Sequence, residues 1–251
     1  MRLLPVVFSA TGNTASVVRV ICEAWGSQVA YFDLSSPQLK PKTFSPDDCV
    51  LIACPVYGGR IPTIVQKRLN LLQFNGARVM TVVTYGNRAY EDALLELNDI
   101  VTQQGGTVFA SAAIVASHSI VSRLAAGRPN ALDKQNIAAF ARFAKQKLQR
   151  GDDNVVSVPG KRPYRSWSKP PVAPVLIGQC VHCGLCVRQC PVQAIDPRDP
   201  SKTDPDVCIM CMRCIRICTQ GAKALPTPVQ QATEAMLSKY MDVIRENEYF
   251  I

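Results

Sequence analysis

The stretches CVHCGLCVRQCP (residues 180–191) and CIMCMRCIRICT (residues 208–219) hold eight of the eleven cysteines of this 251-residue chain. In each stretch, two residues separate the first three cysteines, and a fourth cysteine follows after three more residues. This spacing is the ligand pattern of a 4Fe-4S cluster, because three close thiolates can wrap one corner of the iron-sulfur cube. The doubled run predicts two such clusters. The candidate iron ligands are Cys180, Cys183, Cys186, Cys190, Cys208, Cys211, Cys214 and Cys218.

In paired runs of this kind, the fourth cysteine reaches across to the cluster of the other run. The predicted ligand sets are therefore Cys180, Cys183, Cys186 and Cys218 for one cluster, and Cys208, Cys211, Cys214 and Cys190 for the other. Structural zinc is an alternative, but it needs only one Cys-x-x-Cys pair per half-site and leaves the third cysteine without a role. Disulfides fit less well, because adjacent Cys-x-x-Cys cysteines make poor bridges and we recognise no secretory leader.

The cysteine runs occupy a minority of the chain. We assign residues 176–227 to a small α+β two-cluster domain, and residues 1–150 are numerous enough for a separate domain with its own core. Residues 151–175 carry five prolines and four basic residues, which predicts a semi-rigid linker. Apolar residues at helical spacing predict a C-terminal helix within residues 228–251 that packs across the domains, with a dimer face as the alternative.

Residues 1–150 alternate short β-branched or aromatic runs with amphipathic stretches. This alternation predicts a parallel sheet with helices on both faces, and it matches a doubly wound five-stranded arrangement of order 2-1-3-4-5. The predicted strands are Leu3–Phe8, Gln28–Asp33, Cys49–Cys54, Arg78–Tyr85 and Thr107–Ala116. The predicted helices cover about residues 13–25, 62–73, 90–104 and 133–149. Ligands of such sheets bind at the carboxyl ends of the strands.

The loop after the first predicted strand has the composition of a phosphate site. It combines hydroxyl groups, a glycine that permits close backbone approach, and a helix N-terminus, without any lysine. An ordinary strand-to-helix turn with a polar cap is the alternative for this loop taken alone. The absence of Gly-x-Gly-x-x-Gly and Gly-Lys-Thr disfavours a dinucleotide or ATP loop. The candidate residues are Ser9, Ala10, Thr11, Gly12, Asn13 and Thr14.

Two more loops follow the third and fourth predicted strands, and each places an aromatic residue beside glycine. Such loops can hold a flat conjugated ring, with Tyr57 on one side and Tyr85 or Tyr90 on the other. Incidental surface tyrosines are the alternative for either loop alone. The candidate residues are Pro55, Val56, Tyr57, Gly58 and Gly59 in one loop, and Thr84, Tyr85, Gly86, Asn87, Arg88 and Tyr90 in the other.

These three loops resemble those of the flavodoxins, and their combination with the doubled cysteine run resembles the flavodoxin-ferredoxin fusion proteins known as the EFR1 family. The resemblance covers nearly the whole chain. It implies a flavodoxin-like domain that binds FMN, with the phosphate in the first loop, the isoalloxazine between the other two, and Gly58 or Gly59 near flavin N5. Two departures stand out. Thr219 occupies a position where many ferredoxins have proline, and this domain is basic whereas flavodoxins are usually acidic.

Several further residues carry weaker signals. We expect His118 to be a surface or capping histidine, although it follows the fifth strand and lies near the ring loops. His182 lies inside the first cluster loop, where it would contact the cluster surroundings or solvent. A lone Trp167 in the linker is more often an anchor between domains than a cofactor contact. The cysteines outside the runs are expected in the core, and they are Cys22, Cys49 and Cys54.

The formal net charge of +9 includes a basic cluster in the linker: Lys161, Arg162, Arg165 and Lys169. Two oxidised clusters and a flavin phosphate would bring the total near +3, since each carries about −2. The basic cluster is expected to be a solvated face or a docking surface for an acidic redox partner. No nucleic-acid-binding signature and no apolar run of membrane-spanning length is present. We expect a cytoplasmic protein, monomeric or homodimeric.

The leading hypothesis for function is electron transfer between FMN and two 4Fe-4S clusters, which couples two-electron to one-electron chemistry. The second hypothesis is an FMN-dependent reductase of a quinone, metal ion or organic acceptor, with an open isoalloxazine face. The third is an iron-sulfur sensor that binds nucleic acid, and the missing recognition motifs disfavour it.

Overall fold

The computed structural model describes residues 2–251. Apolar β-branched runs form the strands, and amphipathic stretches form the helices between them, as the periodicity predicts. In chain order the elements are β1 (Leu3–Val7), α1 (Asn13–Trp25), β2 (Phe32–Asp33), β3 (Lys42–Thr43), β4 (Cys49–Pro55), α2 (Thr63–Leu69), β5 (Leu72–Gln73), β6 (Arg78–Tyr85), α3 (Ala93–Gln103), β7 (Thr107–Val115), α4 (Ala131–Gln149), β8 (Val175–Leu176), α5 (Leu185–Arg188), α6 (Arg213–Arg216), β9 (Lys223–Ala224), α7 (Thr227–Leu237) and β10 (Glu248–Phe250).

The main sheet has six strands in the order β10-β7-β6-β4-β1-β2. Five of them are parallel and, numbered among themselves, run 2-1-3-4-5. Both faces carry an apolar core. One core packs under α2 and α3, and the other packs between the sheet and the α1–α4 pair. This doubly wound α/β arrangement is flavodoxin-like, and it brings the carboxyl ends of β1, β4 and β6 to one edge.

The C-terminal segment differs from two predictions, that of a single helix within residues 228–251 and that of a five-stranded sheet. Instead of one helix within residues 228–251, α7 ends at Leu237, a 3-10 turn covers Ser238–Tyr240, and β10 pairs antiparallel with the edge strand β7. Tyr249 packs against Phe140 with ring centroids 5.1 Å apart, and Val115 N–H donates to Asn247 Oδ1 at 2.8 Å. An edge strand has unpaired backbone groups, and the tail covers them here. The predicted five-stranded sheet is therefore one strand short.

Other boundaries move by a few residues. The second predicted strand shrinks to β2, because only Phe32 and Asp33 pair with β1. The second predicted helix ends at Leu69, and the buried Leu72 begins a short strand that pairs with β3. Helix α4 starts at Ala131, where the Asn130 side chain and Asp133 form a reciprocal capping box.

The linker is bound along the acidic surface of α3. Arg162 Nε donates to Asp99 Oδ2 at 2.7 Å, and the backbone N–H of Lys161 and of Arg165 donate to the two Asp92 carboxylate oxygens at 2.9 and 2.7 Å. The Arg165 guanidinium pairs with Glu91. The basic linker cluster was expected to be a solvated face or a docking surface for an acidic partner. Arg162 and Arg165 each pair with an intramolecular carboxylate, and the Arg162 side chain stays largely exposed.

Residues after the linker form a small α+β unit around the cysteines. Strands β8 and β9 pair antiparallel, and the one-turn helices α5 and α6 each follow the second cysteine of a run. Helix α7 then leaves this unit and packs on the loop after β7, where Leu237, Val121 and Leu124 form a small buried cluster. Within the described residues, no helix is both long and apolar enough to cross a membrane.

Candidate cofactor sites

A cavity of about 600 Å³ lies at the carboxyl edge of the sheet, and we call it the sheet-edge cavity. Its size falls in the usual range for a small-molecule site. The three loops after β1, β4 and β6 all line it, as the sequence predicts for strands of this order. The predicted residues that line it are Ala10, Thr11, Asn13, Thr14, Pro55, Val56, Tyr57, Gly58, Gly59, Thr84, Tyr85, Gly86 and Arg88.

The first loop is held open by its own hydrogen bonds. Ser9 is buried, and its Oγ accepts from Ala15 N–H at 3.0 Å, while Thr14 and Thr84 hydroxyls lie 2.7 Å apart. Gly12 is the N-cap residue of α1 and has φ 95°, a left-handed conformation that shapes the turn. It does not line the cavity. The N–H groups of Asn13 and Thr14 have no acceptor among residues 2–251. Free amides at a helix N-terminus are the donors that a phosphate group requires.

The second loop is a tight turn with two successive glycines in the left-handed backbone region. Tyr57 and Arg60 close it with two backbone hydrogen bonds of 2.8 and 3.1 Å, and Gly58 and Gly59 have φ of 59° and 86°. A Cβ on Gly58 would lie 2.2 Å from the Trp167 ring, so the indole packs directly on this turn. The prediction that Trp167 is an anchor rather than a cofactor contact is incomplete, because the ring also lines the sheet-edge cavity.

An ion pair between the half-buried Arg60 and the buried Glu96 fixes the position of this turn. Arg60 donates to both carboxylate oxygens of Glu96 on α3, at 2.8 and 2.5 Å, and Glu96 also accepts from Ile61 N–H at 3.1 Å. Arg60 Nη1 further donates to the Arg165 carbonyl of the linker at 2.9 Å. A bidentate pair has a fixed geometry, so the turn, α3 and the linker are held as one unit.

The third loop divides its predicted residues between two roles. Tyr85 and Gly86 line the sheet-edge cavity, whereas Asn87 donates to the carbonyls of Tyr240 and Val243 at 3.0 and 2.7 Å. Tyr90 is also outside the cavity lining; its hydroxyl donates to Glu248 at 2.7 Å and its ring packs against Tyr85. Asn87 and Tyr90 therefore fasten the C-terminal segment, and Tyr85 remains the tyrosine of this loop that faces the cavity.

His118 is a capping residue, as expected, and it also lines the sheet-edge cavity. Its Nδ1 accepts from the N–H groups of Ile120 and Val121 at 3.2 and 3.0 Å. Burial, followed by the nearby Arg88 charge, lowers the pKa of His118 from 6.5 to about 4. The ring is therefore neutral near pH 7, and its proton must sit on Nε2 because Nδ1 is an acceptor.

The structure gathers the cysteines of the two runs into two crossed groups. Each group surrounds its own small cavity. The proximal set is Cys190, Cys208, Cys211 and Cys214, and the distal set is Cys180, Cys183, Cys186 and Cys218. These groups have the same membership as the predicted ligand sets. Among residues 2–251, no cluster of three or more Cys, His, Asp or Glu side chains is arranged to hold a single metal ion.

The two sets differ in their exposure. Cys190, Cys208 and Cys211 of the proximal set are buried, whereas Cys183 of the distal set is exposed. Burial raises the pKa of the Cys211 thiol to about 11 and that of Cys214 to about 12. Backbone N–H groups point at sulfur in both sets, as in Ala194 N–H to Cys190 Sγ (3.3 Å) and Ala222 N–H to Cys218 Sγ (3.3 Å). Such amides stabilise anionic sulfur of the kind iron ligands supply.

The proximal set adjoins the sheet-edge cavity. Ile209 and Met210, which follow Cys208, line that cavity, and Cys211 belongs to the same apolar core as Tyr85. Burial raises the pKa of the Tyr57 hydroxyl, and the neighbouring Cys211 thiol adds to the increase. The cluster loop therefore forms one wall of the cavity that the sheet loops line.

Sequence reasoning missed the covering walls of this cavity. The loop after β7 contributes Ser117, and α7 contributes Val229, Ala232 and Met236. The apolar spacing of α7 was the available signal, but nothing in the spacing showed which surface it covers.

Cys22, Cys49 and Cys54 are fully buried in the cores, and burial raises the pKa of their thiols.

Comparisons with known proteins found similarities in both parts of the chain. Residues 179–226 match the family model described as a 4Fe-4S dicluster domain. None of the curated proteins matches the chain. Similar solved structures include flavodoxin 1 from Bacillus cereus (13% identity, 59% of this chain and 98% of that chain, TM-score 0.42) and a flavodoxin from the domain Archaea (15%, 59% and 99%, 0.43). Rubredoxin oxygen:oxidoreductase from Desulfovibrio gigas is also similar (13%, TM-score 0.43), with 59% of this chain aligned to 36% of that one.

The residues present suit both kinds of cofactor. The sheet-edge cavity offers free helix amides at one end and Tyr57, Tyr85 and Trp167 around the rest. The matched dicluster domain supplies thiolates for iron-sulfur chemistry. The chain therefore consists of an α/β domain with flavodoxin-like strand order, joined to a segment that matches a 4Fe-4S dicluster domain.

Proposed function

We propose that this protein is an electron carrier in which two 4Fe-4S clusters and one FMN act in sequence within a single chain. The observation that carries the proposal is the shared wall: the loop of the proximal set lines the same cavity as the three sheet loops. When bound, FMN exchanges one or two electrons whereas each cluster exchanges one, so the combination couples the two kinds of chemistry.

The residues of the chain have distinct tasks in this proposal. The amides of Asn13 and Thr14 would hold the FMN phosphate, and the turns at Gly58 and Gly86 would hold its ring. The distal set, with its exposed Cys183, is the side that an external redox partner can approach. The buried proximal set, whose loop adjoins the sheet-edge cavity, would then connect that partner to the flavin.

The walls of the cavity favour a carrier over a reductase. The reductase hypothesis requires an open isoalloxazine face, and Trp167, α7 and the Ile209–Met210 segment line the cavity beside the sheet loops, which narrows the room for a second substrate. The sensor hypothesis needs a free basic surface, and two of the four linker cations are paired with the carboxylates of Asp99 and Glu91 instead. An electron partner needs only edge contact with the distal set.

The test is rapid photoreduction of the anaerobically purified, fully loaded chain at several protein concentrations. The preparation should contain about eight iron, eight sulfide and one FMN per chain. Flavin reduction should follow cluster reduction with a rate that does not depend on protein concentration, since tethered groups meet at a fixed effective concentration. Protein stripped of iron but still loaded with FMN is the control. A rate that rises in proportion to concentration would show transfer between molecules and refute the proposal.

A further inference from the structure

Two arginine side chains flank the proximal set without a carboxylate partner. Arg213, between Cys211 and Cys214, donates to the carbonyls of Ser9 and Ala10 at 2.9 and 3.3 Å. Arg68 on α2 donates to the Pro191 carbonyl at 2.6 Å and to that of Leu34. No carboxylate in residues 2–251 forms an ion pair with either guanidinium.

This arrangement is costly for the apoprotein. Arg68 is only 7% exposed, and a buried cation is unfavourable unless a negative group compensates it. Burial lowers the pKa of Arg68, the Asp33 carboxylate opposes that effect, and the Arg213 charge adds to it. The two like charges are therefore near enough to repel each other. Carbonyl oxygens satisfy their hydrogen bonds but do not neutralise their charge.

The compensating charge belongs at the proximal set. Arg213 lines the cavity that the four proximal cysteines surround, and so does Pro191, whose carbonyl holds Arg68. A 4Fe-4S cube with four thiolates carries a net charge of about −2 and becomes more negative on reduction. It would place negative charge beside both guanidinium groups.

The distal set has a different cationic environment. Arg188 donates to the Cys183 carbonyl at 3.1 Å, but its side chain is exposed, so water and salt screen it. Lys223 is buried, lines the distal cavity and donates to Thr203 Oγ1 at 3.1 Å. Its charge acts on thiols of both sets, whereas the two arginines lie beside the proximal set.

We propose that Arg68 and Arg213 form a paired cationic site that stabilises the reduced proximal cluster and raises its reduction potential. Burial of the proximal set acts in the opposite direction, because a low-dielectric site disfavours the more negative state. The arginine pair offsets that penalty and draws electrons from the distal set towards the sheet-edge cavity. This inference rests on the proposed function for its cluster assignment and adds the direction of electron flow.

The experiment is an anaerobic redox titration of the loaded full-length chain, followed by electron paramagnetic resonance, for Arg68→Met and Arg213→Met. One of the two cluster potentials should fall by at least the equivalent of a tenfold change in the equilibrium constant for one-electron reduction, about 59 mV. The matched control is Arg188→Met, which removes an exposed guanidinium beside the distal set and should change either equilibrium constant less than twofold. Equal shifts for Arg213→Met and Arg188→Met would overturn the inference.

A charge-retaining variant separates electrostatics from packing. Arg213→Lys keeps the cation but not the two-carbonyl contact, so its potentials should stay near those of the wild type even if the methionine variants lose iron. A lysine variant whose potential falls would refute the inference. Absence of two clusters from the wild-type chain would refute the proposed function instead, so the two failures are distinguishable.

Discussion

Replacing His118 by Asn should remove a large part of the pH dependence of folding stability. The Asn side-chain carbonyl can accept from Ile120 and Val121 N–H in place of Nδ1, but it cannot be protonated. In the wild type, burial lowers the His118 pKa from 6.5 to about 4, so the folded protein resists protonation more than the unfolded chain does. The contribution of neutral His118 is therefore complete above pH 6.5 and is lost as the pH falls from 6.5 towards 4.

The magnitude follows from the size of the shift. Each pKa unit corresponds to about 1.4 kcal/mol, so the complete loss below pH 4 amounts to roughly 3 kcal/mol. Between pH 7 and pH 5 the linkage relation gives about 2 kcal/mol. A change of this size is a substantial fraction of the free energy of unfolding of a typical domain, which is roughly 5–15 kcal/mol.

The assay is urea unfolding of the anaerobic full-length chain at pH 7 and pH 5, followed by fluorescence of the buried Trp25. Wild-type protein should lose about 2 kcal/mol more than His118→Asn between the two pH values, because carboxylate effects common to both cancel. Ser119→Ala, an exposed change in the same loop, should keep the wild-type pH dependence. If His118→Asn and the wild type lose the same stability, the linkage argument fails.

Three further predictions concern the turn, the cysteine pairing and the tail. Gly58→Ala should lower stability by about 1–2 kcal/mol more than Gly151→Ala, because both glycines have positive φ but only Gly58 faces the Trp167 ring; a shift in Trp167 fluorescence should accompany it. Cys190→Ala should damage the cluster of Cys208, Cys211 and Cys214, whereas Cys218→Ala should damage that of Cys180, Cys183 and Cys186. Iron content and electron paramagnetic resonance spectra would measure the loss, and damage to the cluster of the variant's own run would show that the pairing is wrong. Asn87→Gly keeps the φ of 64° without strain but removes two hydrogen bonds, so residues 238–250 should exchange amide hydrogens faster, at a cost of about 1–2 kcal/mol; unchanged exchange there would contradict the assigned role.

The grouping of the cysteines around two cavities was predictable because their spacing is a local feature of the sequence. Two residues between cysteines place three sulfurs in one short loop. The fourth cysteine of such a run, here Cys190 before Pro191, is the one expected to join the cysteines of the other run. The loop after β1 was predictable for a related reason, since a strand, a glycine and a polar helix start are adjacent in sequence. In both cases the residues that form the site are close neighbours along the chain.

The walls of the sheet-edge cavity were decided only by tertiary packing. Trp167 meets Gly58 from more than a hundred positions away, and Arg213 reaches the carbonyl of Ser9 from still further along the chain. The segment Glu248–Phe250 shows no strand pattern of its own and becomes β10 because the edge of β7 offers unpaired backbone groups. Residue spacing encodes which side chains share a loop or a face, but contacts between distant segments depend on how whole elements pack, and the sequence alone carries no local signal for them.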